Sequence, residues 1–127
     1  YYSQDSNSDG DAVIHATFNA IASALGLYPV DYYFQGELDS SQVILDFACR
    51  LLEESDYELA NLSVSIEGLV PKIVPMIPEI KNNLSVAFEI PKDCVGITAT
   101  TGEKLSEYGK GARYKATVVI TLTLSSK

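Results

Sequence analysis

Residues 114–124, Tyr-Lys-Ala-Thr-Val-Val-Ile-Thr-Leu-Thr-Leu, decide the fold class of this chain. Every second residue, starting at Tyr114 and ending at Leu124, is apolar, and the residues between them are polar except for Val119. A period of two is typical of a β-strand with one buried face. This stretch therefore predicts a strand that packs one face against other elements.

Two further strands follow from the same reasoning. Leu62, Val64 and Ile66 alternate with polar residues, and residues 95–100 form a second run, rich in β-branched side chains, that enters a polar turn. These patterns predict a sheet with one covered face.

Three helices are predicted beside the sheet. The first spans residues 12–25, because residues 8–11 offer capping oxygens and Gly26 is a suitable stop. The second spans residues 39–55 and places Val43, Ile44 and Phe47 on its packed face, while Pro78 suits the first turn of a third, short helix. The predicted fold is α+β, with helices packed on one face of a mixed β-sheet.

Length and composition limit the possible classes of protein. The 127 residues, 46% of them hydrophobic, predict a single soluble domain over residues 1–127. No run approaches the roughly 20 apolar residues of a membrane span, so we expect no membrane partner. A net charge of -8 argues against nucleic acid as a partner. Cys49 and Cys94 are too few for a disulfide framework, which favours a reducing, cytosol-like compartment.

A polar stripe crosses the first predicted helix. Asp11, His15 and Asn19 are spaced by four, so they share one helix face. The stripe is either an ordinary solvent-facing surface or part of a metal site. A catalytic zinc ion needs three protein ligands, and the chain has one histidine, so carboxylates would have to complete such a site.

Two other segments are candidates for ligand contacts. Residues 98–104 join a strand end to a turn with hydroxyls and a carboxylate, which suits a phosphate–metal pair but also an ordinary Thr-rich strand end. Residues 71–75, Pro-Lys-Ile-Val-Pro, form either a rigid wall for a planar ligand or a stiff connection. The sequence has no GxSxG, P-loop or GxGxxG motif.

Three separated blocks resemble one known family. They are Ser-Asp-Gly-Asp-Ala-Val-Ile-His-Ala at 8–16, Pro-Lys-Ile-Val-Pro at 71–75, and Ala-Thr-Thr-Gly-Glu-Lys-Leu at 99–105 with Gly-Lys-Gly at 109–111. In this order and spacing they are similar to the 2-C-methyl-D-erythritol 2,4-cyclodiphosphate synthase family. The resemblance runs from about residue 7 to the C-terminus, is weakest over 25–39, and implies a homotrimer with active sites between subunits.

The resemblance also implies an activity. Family members are phosphorus–oxygen lyases of non-mevalonate isoprenoid synthesis, found in bacterial cytoplasm or plastids. In their substrate, 4-diphosphocytidyl-2-C-methyl-D-erythritol 2-phosphate, the C2-phosphate attacks the β-phosphate and expels CMP. The implied cofactors are zinc, or a similar transition metal, and magnesium or manganese. The alternatives are a non-catalytic trimer that binds a nucleotide or isoprenoid phosphate, and a purely structural oligomer.

Site residues are carried over from matching positions. The resemblance assigns the metal ligands to Asp5, His15 and Glu103, and the catalytic positions to Asn7 and Thr101. It assigns the cytidine pocket to residues 68–74, with substrate contacts expected at Gly68, Pro71, Lys72, Ile73 and Val74. The remaining substrate contacts are expected at Ser8, Thr100, Thr101, Glu103 and Lys110.

Some positions depart from the family pattern. Asn7 replaces the usual histidine, Asn19 replaces an acid, and Lys110 and Ala112 replace an arginine and an acid that face a central cavity in the family. The Phe-Pro-Asp-Thr-Asp loop is not recognisable in residues 30–39.

A discontinuity is expected near the N-terminus. In the family an Asp-x-His segment ends the first strand and supplies two zinc ligands, and Gln4-Asp5-Ser6 resembles the start of a Gln-Asp-Ser-His version of it. The next residue, Asn7, already begins the following block, so we expect that a stretch beginning with a second histidine is missing between Ser6 and Asn7. This interpretation predicts a separation between their Cα atoms well beyond the usual ~3.8 Å. It also predicts that Asp5 and His15 converge.

Overall fold

The sheet is built around one central strand. In the computed structural model, which describes residues 4–34, 40–101 and 114–126, the strands are β1 (Tyr57–Glu67), β2 (Val95–Thr100) and β3 (Lys115–Leu124). The described strands form one sheet in the order β2-β1-β3, with β1 parallel to β2 and antiparallel to β3. The predicted mixed sheet is therefore confirmed.

Three of the described helices precede β1, and two lie between β1 and β2. The longer ones are α1 (Gln4–Ala24), α3 (Ser41–Glu53) and α5 (Ile77–Phe88), and the single-turn ones are α2 (Val30–Tyr33) and α4 (Val70–Ile73). Two 3₁₀ turns occupy Val74–Met76 and Lys92–Cys94. α1 contacts β3 and α3, and α5 contacts β2.

One face of the sheet is covered and the other is open. Leu62, Val64 and Ile66 of β1 are buried against the helices, while Ser63 and Ser65 are exposed. In β3, Val119 is 64% exposed, as expected for the one apolar residue on the polar face. This distribution confirms that the helices pack on one face.

The first helix ends as predicted but begins earlier. At its C-terminus Gly26 has a φ of 75°, and the Gly26 and Leu27 N–H groups donate to the carbonyls of Ser23 (3.1 Å) and Ala22 (2.7 Å). This is a Schellman ending, which favours glycine. The predicted start at residue 12 is wrong, because α1 already begins at Gln4.

The early start of α1 corrects the placement of Asp5. Residues 4–6 lie in the first turn of the helix instead of at the end of a strand, and α1 continues without interruption through Ser6 and Asn7. No proline interrupts residues 4–11, and acidic residues near a helix N-terminus are favourable, so the capping pattern at 8–11 is compatible with the helix interior. That a stretch is missing from the sequence between Ser6 and Asn7 stays a prediction.

The second predicted helix is confirmed as α3. Its N-cap is Ser40, whose Oγ accepts a hydrogen bond from the Val43 N–H at 3.3 Å. Ile44 is buried as predicted, but Val43 is 45% exposed and Leu45 takes the buried position. α2 was not predicted, because a single turn is too short to show a period.

Candidate functional site

Three segments meet at one edge of the sheet. The parallel strands β1 and β2 end opposite each other at Glu67 and Thr100, and the antiparallel β3 begins at Lys115, also opposite Glu67. Gly68, Thr101 and Tyr114, the next described residue beyond each strand end, therefore lie at the same edge. The structure thus brings the start of the predicted cytidine pocket next to Thr100 and Thr101.

Gly68 is the point of contact between these segments. Its N–H donates to the Thr100 carbonyl oxygen at 2.9 Å, which extends the ladder by one step beyond β1. A Cβ atom at this position would lie 2.8 Å from Cε1 of Tyr114 and 3.2 Å from Cδ1 of Ile73. A side chain does not fit there, so close packing requires glycine at the start of the pocket.

The turn that follows is short and rigid. The Lys72 and Ile73 N–H groups both donate to the Leu69 carbonyl, at 3.0 and 3.1 Å, and Pro71 lies in the first turn of α4. Ile73 is fully buried and Val74 is 51% exposed. Ile73 therefore anchors the turn in the core, and its side chain is not available to a ligand.

Pro71 and Lys72 are exposed on the same turn, Thr100 is exposed and Thr101 is half-buried at the neighbouring strand end. Such an edge offers hydroxyls and a stiff apolar surface to a ligand with a planar group and polar oxygens. Glu103 and Lys110, predicted to contact the phosphates, lie outside the described residues, as does Ala112.

The polar stripe of α1 is not simply a solvent-facing surface. Asp11 accepts a hydrogen bond from the Ser41 hydroxyl of α3, and Asn19 Oδ1 accepts one from the Val30 N–H of α2 at 2.7 Å. The sequence analysis did not predict these two hydrogen bonds. Each joins α1 to another helix, and hydrophobic periodicity does not show which helices pack against each other. His15 lies between these two residues and is exposed.

The predicted zinc ligands are not brought together. Asp5 and His15 are ten positions apart in α1, about 15 Å along a helix axis, and one ion cannot bind both at that distance. In the part of the chain that the structure describes, no group of three or more His, Cys, Asp or Glu side chains is placed to hold a metal ion. The side chain of Asp5 lies outside that part, and the predicted zinc site stays a prediction. Asn7 and Ser8 lie in α1, with side chains outside the description.

A separate cavity of about 720 Å³ lies between α1, α3 and α5. Asp11, Ser41, Glu79, Asn82 and Asn83 contribute polar groups to its wall. None of the described residues predicted to bind substrate or metal lines it.

The thiol of Cys49 is a candidate nucleophile outside the sheet edge. Burial raises the pKa of its thiol to about 11, and the nearby carboxylates of Asp46, Glu53 and Glu89 act in the same direction. The thiol also donates to the Ala87 carbonyl at 3.2 Å. It is therefore protonated near neutral pH and unsuited to nucleophilic catalysis.

Comparisons with known proteins agree on one group of enzymes. The family model described as "YgbB family" matches residues 2–123. The 2-C-methyl-D-erythritol 2,4-cyclodiphosphate synthase of Cytophaga hutchinsonii is 34% identical over 123 residues, covering 93% of this chain and 77% of the relative. The enzyme of the same name from Chlamydia caviae is 36% identical over 121 residues, covering 91% of this chain and 68% of the relative.

The fold is also similar to that of a solved structure. The structure of a 2C-methyl-D-erythritol-2,4-cyclodiphosphate synthase with CDP bound superimposes with a TM-score of 0.77 and 31% identity. The match covers 92% of this chain and 79% of the other. Among the described helices, none is both long and apolar enough to cross a membrane.

Proposed function

This chain belongs to the YgbB family, and from that premise we propose that it is a 2-C-methyl-D-erythritol 2,4-cyclodiphosphate synthase. It converts 4-diphosphocytidyl-2-C-methyl-D-erythritol 2-phosphate to the cyclic diphosphate and releases CMP. The observation that carries the proposal is the junction at the sheet edge, where the Gly68 N–H binds the Thr100 carbonyl at 2.9 Å. That bond holds the base-binding and phosphate-binding segments together.

The proposed reaction needs little base catalysis from the residues at this edge. The nucleophile is already an anionic phosphate oxygen, so no strong base is needed to form it. Positioning and stabilisation of charge therefore account for most of the rate. Thr100 and Thr101 supply hydroxyls beside the phosphates, and Pro71, Lys72 and Val74 present the surface for the cytosine. The rigidity of this turn lowers the entropy lost when the base binds.

We assign divalent metal ions to the reaction as a further part of the proposal. Their charge would offset that of the phosphates when bound. Glu103 is the proposed magnesium or manganese ligand, and His15 and Asp5 are the proposed zinc ligands. Since Asp5 and His15 lie about 15 Å apart along α1, a shared ion requires that Asp5 leave the helix.

A missing stretch between Ser6 and Asn7 would have that effect, and we keep it as a proposal. An inserted hairpin would free Asp5 from α1 and supply a second histidine. Sequencing the source gene across the codons for Ser6 and Asn7 tests this. An uninterrupted junction in the gene would contradict the missing stretch, leave the zinc site one ligand short and weaken the proposed activity.

The proposed assembly is a homotrimer with sites between subunits. Its support is the open face of the sheet, where Ser63, Ser65, Thr98 and Thr117 are exposed and uncharged and Val119 is 64% exposed. Protein–protein interfaces are depleted of charged residues at their centre, and none of these five side chains is charged. Sedimentation should show a trimer at micromolar concentration, and a monomer would contradict the assembly. The proposed location is the cytoplasm of a bacterium, or a plastid.

One observation favours a second function. The sequence has one histidine, and Asn7 and Asn19 stand where the family has a histidine and an acid, so the second candidate is a non-catalytic trimer that binds a nucleotide or an isoprenoid phosphate. CMP release from the authentic substrate, with zinc and magnesium added, separates the two functions. Steady CMP release that His15→Ala abolishes supports the synthase. CMP binding without release would support the binding protein instead.

A further inference from the structure

Tyr114 has no assigned role, yet it faces the start of the proposed base pocket. In the β1–β3 ladder Glu67 is opposite Lys115, so one step further Gly68 comes opposite Tyr114. The ladder therefore places an aromatic side chain across from the only residue type without a Cβ. Aromatic side chains often cover a cross-strand glycine in this way.

The ring of Tyr114 lies directly on Gly68. A Cβ added to Gly68 would meet both Cδ1 and Cε1 of the ring, the latter at 2.8 Å. The ring is half-buried and packs against the hydrophobic core, so it is held from behind. Gly68 is thus restrained by the ring on its α-carbon, by Thr100 through its N–H and by the Ile73 side chain nearby.

These restraints act on the residues that follow. Leu69 caps α4 immediately after Gly68, and α4 contains Pro71 and Lys72. A change in the backbone at Gly68 would tilt this single turn as a unit. The exposed surface of α4 would then move relative to Thr100.

We propose that Tyr114 is a positioning residue for the cytosine-binding turn, acting through Gly68. This inference rests on the proposed function, since it assumes that residues 68–74 receive the base. Tyr114 fixes the angle between the base pocket and the phosphate contacts. The ring, whose Cδ1 and Cε1 atoms lie against Gly68, carries the effect.

The test compares Tyr114→Leu with Tyr114→Phe, which keeps the ring. CMP binding to the protein is measured by calorimetry, with the melting temperature recorded for each variant. Tyr114→Leu should weaken CMP binding about tenfold, and Tyr114→Phe should stay within about twofold of the parent protein. In turnover assays KM should rise about tenfold in Tyr114→Leu while kcat changes little.

Ile120→Ala is the matched control, because Ile120 packs against the core from the middle of the same strand and is remote from Gly68. It should lower the melting temperature and leave CMP binding unchanged. Equal CMP affinity in Tyr114→Leu and the parent protein would overturn the inference. So would equal weakening in Tyr114→Phe or in Ile120→Ala. Failure of the parent protein to bind CMP would instead contradict the proposed function.

Discussion

The sheet edge and the polar face of α1 differ in how completely they are built. At the edge, Gly68 is fixed by a hydrogen bond to Thr100 and by the ring of Tyr114. On α1, Asp11 and Asn19 are hydrogen-bonded to neighbouring helices, while His15 is exposed and about 15 Å along the helix from Asp5. The proposed nucleotide half of the site is formed by backbone packing, and the proposed metal half is not assembled by the described residues.

This difference follows from what holds each region in place. The edge depends on strand register, which the hydrophobic core fixes, since a slip of one residue would turn every buried side chain outward. A metal site brings together donor groups that repel one another and lose hydration. Only the bound ion offsets these costs. Nucleotide binding should therefore survive changes that abolish turnover.

The largest expected effect is at Glu103, the proposed magnesium ligand. Glu103→Gln keeps the shape of the side chain and removes its charge. Turnover should fall by about 100-fold or more, the size typical of losing a group that stabilises charge in the transition state. CMP affinity, measured in parallel by calorimetry, should change by less than about threefold. A large loss of both turnover and CMP affinity would mean that the nucleotide half and the metal half of the site are not separable.

Next in size is the effect of filling the space at Gly68. Gly68→Ala places a Cβ against the Tyr114 ring, and overpacking of this kind costs about 1–3 kcal/mol of the free energy of unfolding. CMP binding should weaken at least tenfold, because the turn must shift. Gly96→Ala is the control, since a Cβ there meets nothing within 4 Å. Similar urea unfolding curves for the two variants would show that Tyr114 does not constrain Gly68.

A smaller effect is expected on α1. Asn19→Ala removes the acceptor for the Val30 N–H and should cost about 1 kcal/mol in the free energy of unfolding. Asn19→Asp keeps an acceptor oxygen and should be close to the parent protein. CMP affinity should be unchanged in both variants. If Asn19→Ala weakened CMP binding tenfold, α1 and the sheet edge would form one coupled site.

The smallest effect concerns Thr17, a fully buried residue of α1 whose hydroxyl has no hydrogen-bond partner among the residues that the structure describes. Thr17→Val removes this unsatisfied group at nearly constant volume and should raise the free energy of unfolding by up to about 1 kcal/mol. Thr17→Ser retains the hydroxyl and should be destabilising. Thermal melts of the two variants distinguish these outcomes. A lower melting temperature for Thr17→Val would mean that the hydroxyl is paired in solution.

Much of the fold was predictable because its signals are local. The alternation in β1 and β3, the cap at Ser40 and the stop at Gly26 each specify a short stretch of backbone without reference to the rest of the chain. The start of α1 was not, because Asp and Ser near residue 8 are favourable both as caps and inside the first turns of a helix. Only packing decides between these roles.

The site was predictable in part, and mainly through resemblance. The residues alone left the segment 71–75 open between a ligand wall and a stiff connection. The pairing of Gly68 with Tyr114 depends on the register between strands that are far apart in sequence, and period-two patterns do not determine register between strands. All assignments of catalytic, substrate-binding and metal-binding roles, including those of His15, Lys72 and Thr101, stay predictions.

The most direct test of the account is to map CMP binding residue by residue. Amide NMR spectra of the protein would be recorded with EDTA present and increasing CMP. The account predicts saturable shifts at Gly68, Lys72, Val74, Thr100 and Thr101, with little change at His15. Shifts confined to the cavity between α1, α3 and α5, for example at Asn82 and Asn83, or no saturable shifts at millimolar CMP, would contradict it.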